Sequence, residues 1–326
     1  MPLLLRAAVD DYGHTRALLD RSLLSPTLRL TFETVRPISR AFGPMVAQGA
    51  FDVSEMAIAT FLQAHALGKP LVLLPVVLMN RFHHASIVRA TGSPIRGPAD
   101  LAGRRVGVRA YPQTTAVWVR AILQHEYGVD PGAIEWVVRE PGHVAELADP
   151  PNVTQLAEAD FPRLLREGTI DAWIAGRDAD GVAGVEPLIA DADGAARTAF
   201  TRDGILPINH ALVVRRDVLD AHPRVGGELV ALFGAAKALH FERLRTQGAR
   251  DATEAFQLDL LRQGVDPLPS GIEPLRPALA AMIRLVTEQR LVPVSATVDA
   301  LFAPFRQAAQ REPAGAAPIS APEREA

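Results

Sequence analysis

Two histidines, His84 and His210, stand beside short apolar runs, Ala85–Val88 and Ala211–Val214, that read as buried strands. A histidine near its ordinary pKa moves a proton at neutral pH, so each is a candidate general acid or base. The alternative for each is a structural imidazole bonded to backbone. Arg81, His83 and Ser86 crowd the same turn as His84, which favours a functional role there; for His210 the two readings stand level. Ser54 and Glu55 lie between the short strand Phe51–Val53 and a helix over Glu55–Leu67. Thr114 and Thr115 open a helix over Thr114–Tyr127 that follows the strand Arg105–Val108. Such junctions offer free backbone amides and the positive end of a helix dipole, which suits a small carboxylate. Ser54, Thr114 and Thr115 serve there as helix caps or as ligand donors. Glu55 is either a hydrogen-bond acceptor in a cleft or a favourable charge at the helix start. Arg177, just past the strand Ala172–Ala175, could clamp a carboxylate bidentately or pair with Asp178 or Asp180. The His83-His84 pair suggests a metal, but neighbours on a strand point to opposite faces, so no metal is assigned.

The elements that must position these groups alternate along the chain. Strands read over Leu3–Val9, Leu28–Val35, Leu71–Leu78 and Ile134–Val138. Helices read over Ile38–Gln48, Phe161–Glu167, Val218–Ala221, Arg224–Leu244, Thr253–Gln263 and Arg276–Glu288. The alternation implies mostly parallel sheets with both faces covered. Glu140–Asp160 reads as a long loop, and the tail from Glu312 as disordered.

Bulk properties narrow the function. The 326 residues carry a formal net charge of −3, which gives no electrostatic case for nucleic acid or an anionic membrane. Aromatics are 6%, too few for base-stacking platforms. Cysteine is absent, so disulfides and thiolate chemistry are excluded. The run Met1–Leu5 is too short for a secretory core, and no stretch approaches a membrane span, so a cytoplasmic protein is expected. Phosphate-binding glycine loops, serine-nucleophile elbows and zinc-protease motifs are missing.

The blocks DYGHTRALLD (Asp11–Asp20), FDVSEM (Phe51–Met56), FHHASIV (Phe82–Val88), LAGRRVGV with TTAVWVRAILQHEYGV, and GILPINHALVVRRDVLDAHP (Gly204–Pro223) occur in consistent order over about two thirds of the chain. Together they resemble the 4,5-dihydroxyphthalate decarboxylase family, an offshoot of the type II periplasmic-binding-protein fold. The resemblance implies an α/β protein of two lobes with mixed, mostly parallel sheets and an interlobe cleft. Residues 1–90 and 210–311 would form lobe one, 91–209 lobe two, and 312–326 the tail. It implies cofactor-independent decarboxylation of a hydroxylated aromatic dicarboxylic acid. His84 and His210 would be acid/base groups and Glu55 an acceptor for a phenol. Asp11, Tyr12 and Arg16, after the first strand, would line the cleft, or merely form a turn. Arg81, His83, Ser86, Thr114, Thr115 and Arg177 would complete it, and Tyr111 would meet an aromatic ligand or lie at the surface. The expected partner is a small aromatic carboxylate, with no nucleic acid, membrane or cofactor; homo-oligomerisation stays open. A solute-binding protein of an importer and a cytoplasmic dehydratase are the alternatives on the same fold, and fold alone does not choose among the three.

Overall fold

The computed structural model describes residues 1–311 and the backbone of Glu323–Arg324. The chain opens with β1 (Leu3–Ala8), α1 (Arg16–Leu19), β2 (Leu23–Leu24), β3 (Leu28–Phe32), α2 (Phe42–Gln48), β4 (Val53–Ala57), α3 (Ile58–Ala66) and β5 (Leu71–Asn80). Next come β6 (Ile87–Ala90), β7 (Arg105–Val108), α4 (Thr114–Tyr127), β8 (Glu135–Val138), β9 (Val153–Gln155), α5 (Phe161–Arg166), β10 (Ala172–Ile174), β11 (Val185–Pro187) and α6 (Ala192–Asp203). The chain then returns through β12 (Ile208–Arg215) to α7 (Arg216–Ala221), α8 (Val225–Gln247), α9 (Ala252–Arg262), α10 (Ile272–Glu288) and α11 (Val298–Gln310).

The first sheet has the order β3-β1-β4-β12-β5 and the second β11-β6-β10-β7-β8-β9. In the first, β1 is parallel to β3 and β4, and β12 runs antiparallel to both β4 and β5. In the second, β7 is parallel to β8 and β10, β8 to β9, and β6 is antiparallel to β10 and β11. These are the mixed, mostly parallel sheets of a two-lobed α/β protein. The chain leaves the first sheet after Asn80 and re-enters it at Ile208. Strand β6 therefore belongs to the second sheet, although lobe one was expected to reach residue 90. The β5 sequence LVLLPVVLMN is nearly all buried, as a strand covered on both faces demands. Its Pro75 lacks a donor and is tolerated because β5 is an edge of its sheet.

Three local readings are corrected. The short strand at Phe51 runs on through Ala57, and the helix starts at Ile58 rather than Glu55. Antiparallel pairing with β12, from Val214↔Val53 to His210↔Ala57, holds this stretch extended. A short run buried on every side, with Ser54 and Glu55 inside it, carries no period that separates strand from helix, so tertiary pairing decides. Helix α6 was not foreseen, because only Ala192 and Ala196 of it are buried. Helix α11 is a further element beyond the expected ones, with Pro304 inside it, and Leu301 and Phe302 are fully packed into the core. The tail from Glu312 lies outside the described residues, except that Glu323–Arg324 pairs with β2.

Helix α10 packs on both α3 of lobe one and α4 of lobe two, so the lobes share one hydrophobic core as well as two chain crossovers. The crossovers are tied together where Arg81 N donates to Pro207 O (3.3 Å), and the returning one is tied to α4 where Trp118 Nε1 donates to Ile208 O (3.2 Å). Among the described residues no helix is long and apolar enough to cross a membrane.

Candidate functional site

Strand register builds the centre of the site. Leu212 of β12 pairs with Glu55 of β4, and His210 pairs with Ala57. Side chains alternate along a strand, so Glu55 and His210 are diagonal neighbours on one face of the sheet. His210 Nδ1 lies 2.6 Å from Glu55 Oε1. The same oxygen accepts from Tyr12 Oη at 2.6 Å, and Glu55 Oε2 accepts from the Asp10 amide at 3.0 Å. Glu55 is 0% exposed, so three donors replace its lost hydration. The His210 side chain is 14% exposed, and its Nε2 has no protein partner among the described residues. A buried carboxylate that orients an imidazole through one nitrogen leaves the other for proton transfer.

The loop after β1 delivers Tyr12. Thr15 Oγ1 accepts from the Tyr12 amide at 2.9 Å and donates to Asp10 O at 2.7 Å, closing the turn. The Tyr12 ring stacks on His14, with centroids 5.1 Å apart. Gly13 permits this packing, because a Cβ there would sit 2.2 Å from His240 Cε1. Asp11 and Arg16 pair with each other at 3.2 Å on the rim of an interlobe cavity of about 430 Å³. Asp11, Tyr12, Arg81, Ser86 and Gly176 are among the residues that line it.

Like Arg16 and Arg250, Arg81 lines that cavity. Its Nη2 donates to Thr115 Oγ1 at 2.9 Å, and a Cβ on Gly176 would lie 2.7 Å from the same nitrogen. Thr115 Oγ1 also accepts from Asn209 Nδ2 at 3.3 Å. Asn209 Oδ1 lies 2.8 Å from His83 Nε2, and His83 Nδ1 lies 3.4 Å from Ser86 Oγ. Thus Arg81, His83, Ser86 and Thr115 form one network across the two crossovers, completed by Asn209, which sequence reading did not single out.

Other expected residues stand elsewhere. His84 turns to the opposite side of the crossover, where its Nε2 meets Glu126 Oε2 at 3.0 Å beside a separate cavity of about 160 Å³. It therefore does not line the interlobe cavity that Tyr12 and Arg81 border. Ser54 is no helix cap: it sits within β4, and its Oγ donates to Glu55 O at 2.7 Å. Glu55 likewise is not at a helix start, so the dipole reading lapses. Thr114 Oγ1 accepts from the Ala59 amide at 3.2 Å, capping α3 of the other lobe. Tyr111 is neither at the surface nor in the cleft; it is buried in lobe two under the Arg120 guanidinium, 3.9 Å from its ring centroid. The Arg177 side chain lies outside the described residues.

Two side chains near the pair had no sequence signal. Phe42 of α2 meets the His210 ring edge-on, with centroids 5.1 Å apart, and meets His143 in the same way at 5.4 Å. His143 comes from the irregular 139–152 segment of lobe two, and its Nδ1 is 3.0 Å from Thr60 Oγ1 of lobe one. Burial pushes its pKa down to about 4, helped by Arg109 and His210 nearby. Burial, with His240 close by, takes His14 down to about 3, and burial beside Arg81 takes His83 well below the usual histidine range.

These depressed values predict an acid-sensitive fold. The unfolded chain protonates His14, His83 and His143 near pH 6.5 and the native chain keeps these three neutral, so their share of the stability is full above that pH and falls as the pH drops. Each such histidine contributes a loss of about 1.4 kcal/mol per pH unit. Urea unfolding between pH 7 and 4.5 should show this slope, and His14→Gln should remove about one proton's share of it. An unchanged slope in the variant would contradict the burial of a neutral His14.

The NMT1/THI5 like family matches residues 39–149. A 4,5-dihydroxyphthalate decarboxylase of Comamonas testosteroni is 31% identical over 273 residues, 80% of this chain and 82% of that protein. A second protein of that name, from Pseudomonas putida, is 29% identical over 41% of this chain and 52% of its own length. Among solved structures, the periplasmic aliphatic sulphonate binding protein SsuA from Escherichia coli superposes with a TM-score of 0.57 at 17% identity, covering 91% of each chain. That likeness establishes the periplasmic-binding-protein fold.

Proposed function

Because the chain belongs to the 4,5-dihydroxyphthalate decarboxylase family, we propose that it removes one carboxylate, as CO2, from a hydroxylated aromatic dicarboxylic acid held between the lobes. The observation that carries this reading is the Glu55–His210 pair, an imidazole oriented by a fully buried carboxylate with its second nitrogen free. Loss of CO2 from a ring requires a proton at the carbon that bears the carboxylate. In 4,5-dihydroxyphthalate a hydroxyl para to each carboxylate pushes electron density toward that carbon.

In the proposed step, protonated His210 gives the Nε2 proton to the ring carbon. The carbon–carboxylate bond then breaks, its electron pair restores aromaticity, and CO2 departs. His210 is left neutral and regains a proton from water, so charge and atoms balance. Glu55 stabilises the imidazolium through Nδ1–H, while Tyr12 and the Asp10 amide keep the carboxylate in place. Arg81, steadied by Thr115, is the donor suited to the carboxylate that stays.

The test is incubation of purified protein with 4,5-dihydroxyphthalate, with and without EDTA, while CO2 and 3,4-dihydroxybenzoate are measured. Equal amounts of both products over many turnovers, unaffected by chelator, are expected. Loss of turnover with EDTA would overturn the cofactor-independent step. Saturable binding without CO2 would identify a carboxylate-binding protein instead, and neither binding nor turnover would overturn the substrate class.

A further inference from the structure

The decarboxylation step uses His210 as proton donor but leaves the ring hydroxyl without a partner. His143 is the polar group placed to supply one. The segment that carries it reaches from lobe two to lobe one. It is fastened there by His143 Nδ1 at 3.0 Å from Thr60 Oγ1 and by an ion pair between Glu146 and Lys69. His143 and His210 flank the same Phe42 ring, each perpendicular to it, with centroids at 5.4 and 5.1 Å. Both imidazoles thus stand against one phenyl ring of lobe one.

The ring is neutral at pH 7, because burial with Arg109 and His210 nearby depresses its pKa to about 4. In the Nδ1–H tautomer the neutral imidazole donates to Thr60 and carries a lone pair at Nε2, and that nitrogen has no protein partner among the described residues. Protonation of a ring carbon draws electrons from the para hydroxyl and makes its proton more acidic. An acceptor at that hydroxyl is therefore worth more in the transition state than in the bound substrate.

We propose that His143 recognises the substrate's ring hydroxyl, accepting its hydrogen bond at Nε2, and so makes the cleft selective for hydroxylated over plain aromatic dicarboxylates; this rests on the decarboxylase reading above. Because the segment bonds to Thr60 of lobe one, the acceptor is in place only when the lobes meet.

Calorimetric binding tests this in a His210→Asn background, where substrate persists, with 4,5-dihydroxyphthalate and unsubstituted phthalate as probes. The background protein should bind the hydroxylated acid at least tenfold more tightly. Adding His143→Phe should weaken that acid about tenfold and leave phthalate within twofold, whereas His143→Asn, which keeps an acceptor, should recover part of the preference. Equal weakening of both acids by His143→Phe, or an undiminished preference, would overturn the proposal. Failure of wild-type protein to release CO2 would strike the decarboxylase reading instead, and the binding comparison would still decide whether His143 selects hydroxylated rings.

Discussion

Replacing His210 with asparagine is expected to lower kcat with 4,5-dihydroxyphthalate about 10²- to 10⁴-fold, the usual range for loss of a positioned general acid. KM should change little, because the group acts on a proton that moves only in the transition state. The geometry makes the expectation specific. His210 is the imidazole bonded to the buried Glu55, and its Nε2 has no protein partner among the described residues. His84 supplies the control. It bonds Glu126 on the far side of the crossover, and Glu126 is also within 3.7 Å of Arg202. His84→Asn should leave kcat within about twofold. Steady-state kinetics on the two variants decides the matter: a large loss in His84→Asn with near-normal His210→Asn would reverse the assignment.

The contrast between these histidines shows what the sequence carries and what it does not. Both sit beside apolar runs, and local crowding favoured His84. The difference lies in strand extent. Strand β12 begins at Ile208, so His210 is inside a ladder with a fixed facing direction, whereas His84 lies in a short 3-10 turn ahead of β6. An apolar run announces a strand but not which flanking polar residue it absorbs, and a shift of one residue changes the face a side chain occupies. The same limit misplaced Ser54 and Glu55. The residue types were recognised, but β4 reached Ala57 because β12 paired with it, a contact between residues some 150 positions apart in sequence. Architecture was more legible, since alternating strand and helix signals specify layers without requiring exact ends. His143 was beyond reach for a different reason. It lies in an irregular segment rich in proline, alanine and acids, where no period links a residue to a face, and its partners Thr60 and Phe42 come from the other lobe.

The second large effect is expected at Glu55. Glu55→Gln keeps the volume but replaces one carboxylate oxygen by an NH2 group. The amide cannot accept from Tyr12 Oη, the Asp10 amide and His210 Nδ1 together, as the carboxylate does at 2.6, 3.0 and 2.6 Å. One donor is left facing another at a site that is 0% exposed, so a stability loss of about 1–3 kcal/mol should appear in urea unfolding. The larger consequence is catalytic. Without the carboxylate the imidazolium loses its stabilising charge and its ring its fixed tautomer, and kcat should fall about 10²- to 10³-fold. Tyr12→Phe removes one of the three donors but leaves the Glu55–His210 bond, so its kcat should stay within about tenfold of wild type. The double variant separates positioning from direct action. If Glu55 works through His210, adding Glu55→Gln to His210→Asn should cost almost nothing further in kcat, because the group it orients is already gone. Multiplication of the two losses would instead mean that Glu55 acts on the substrate itself. It would then be the acceptor for a ring hydroxyl, a task the geometry otherwise leaves to the neutral imidazole of His143.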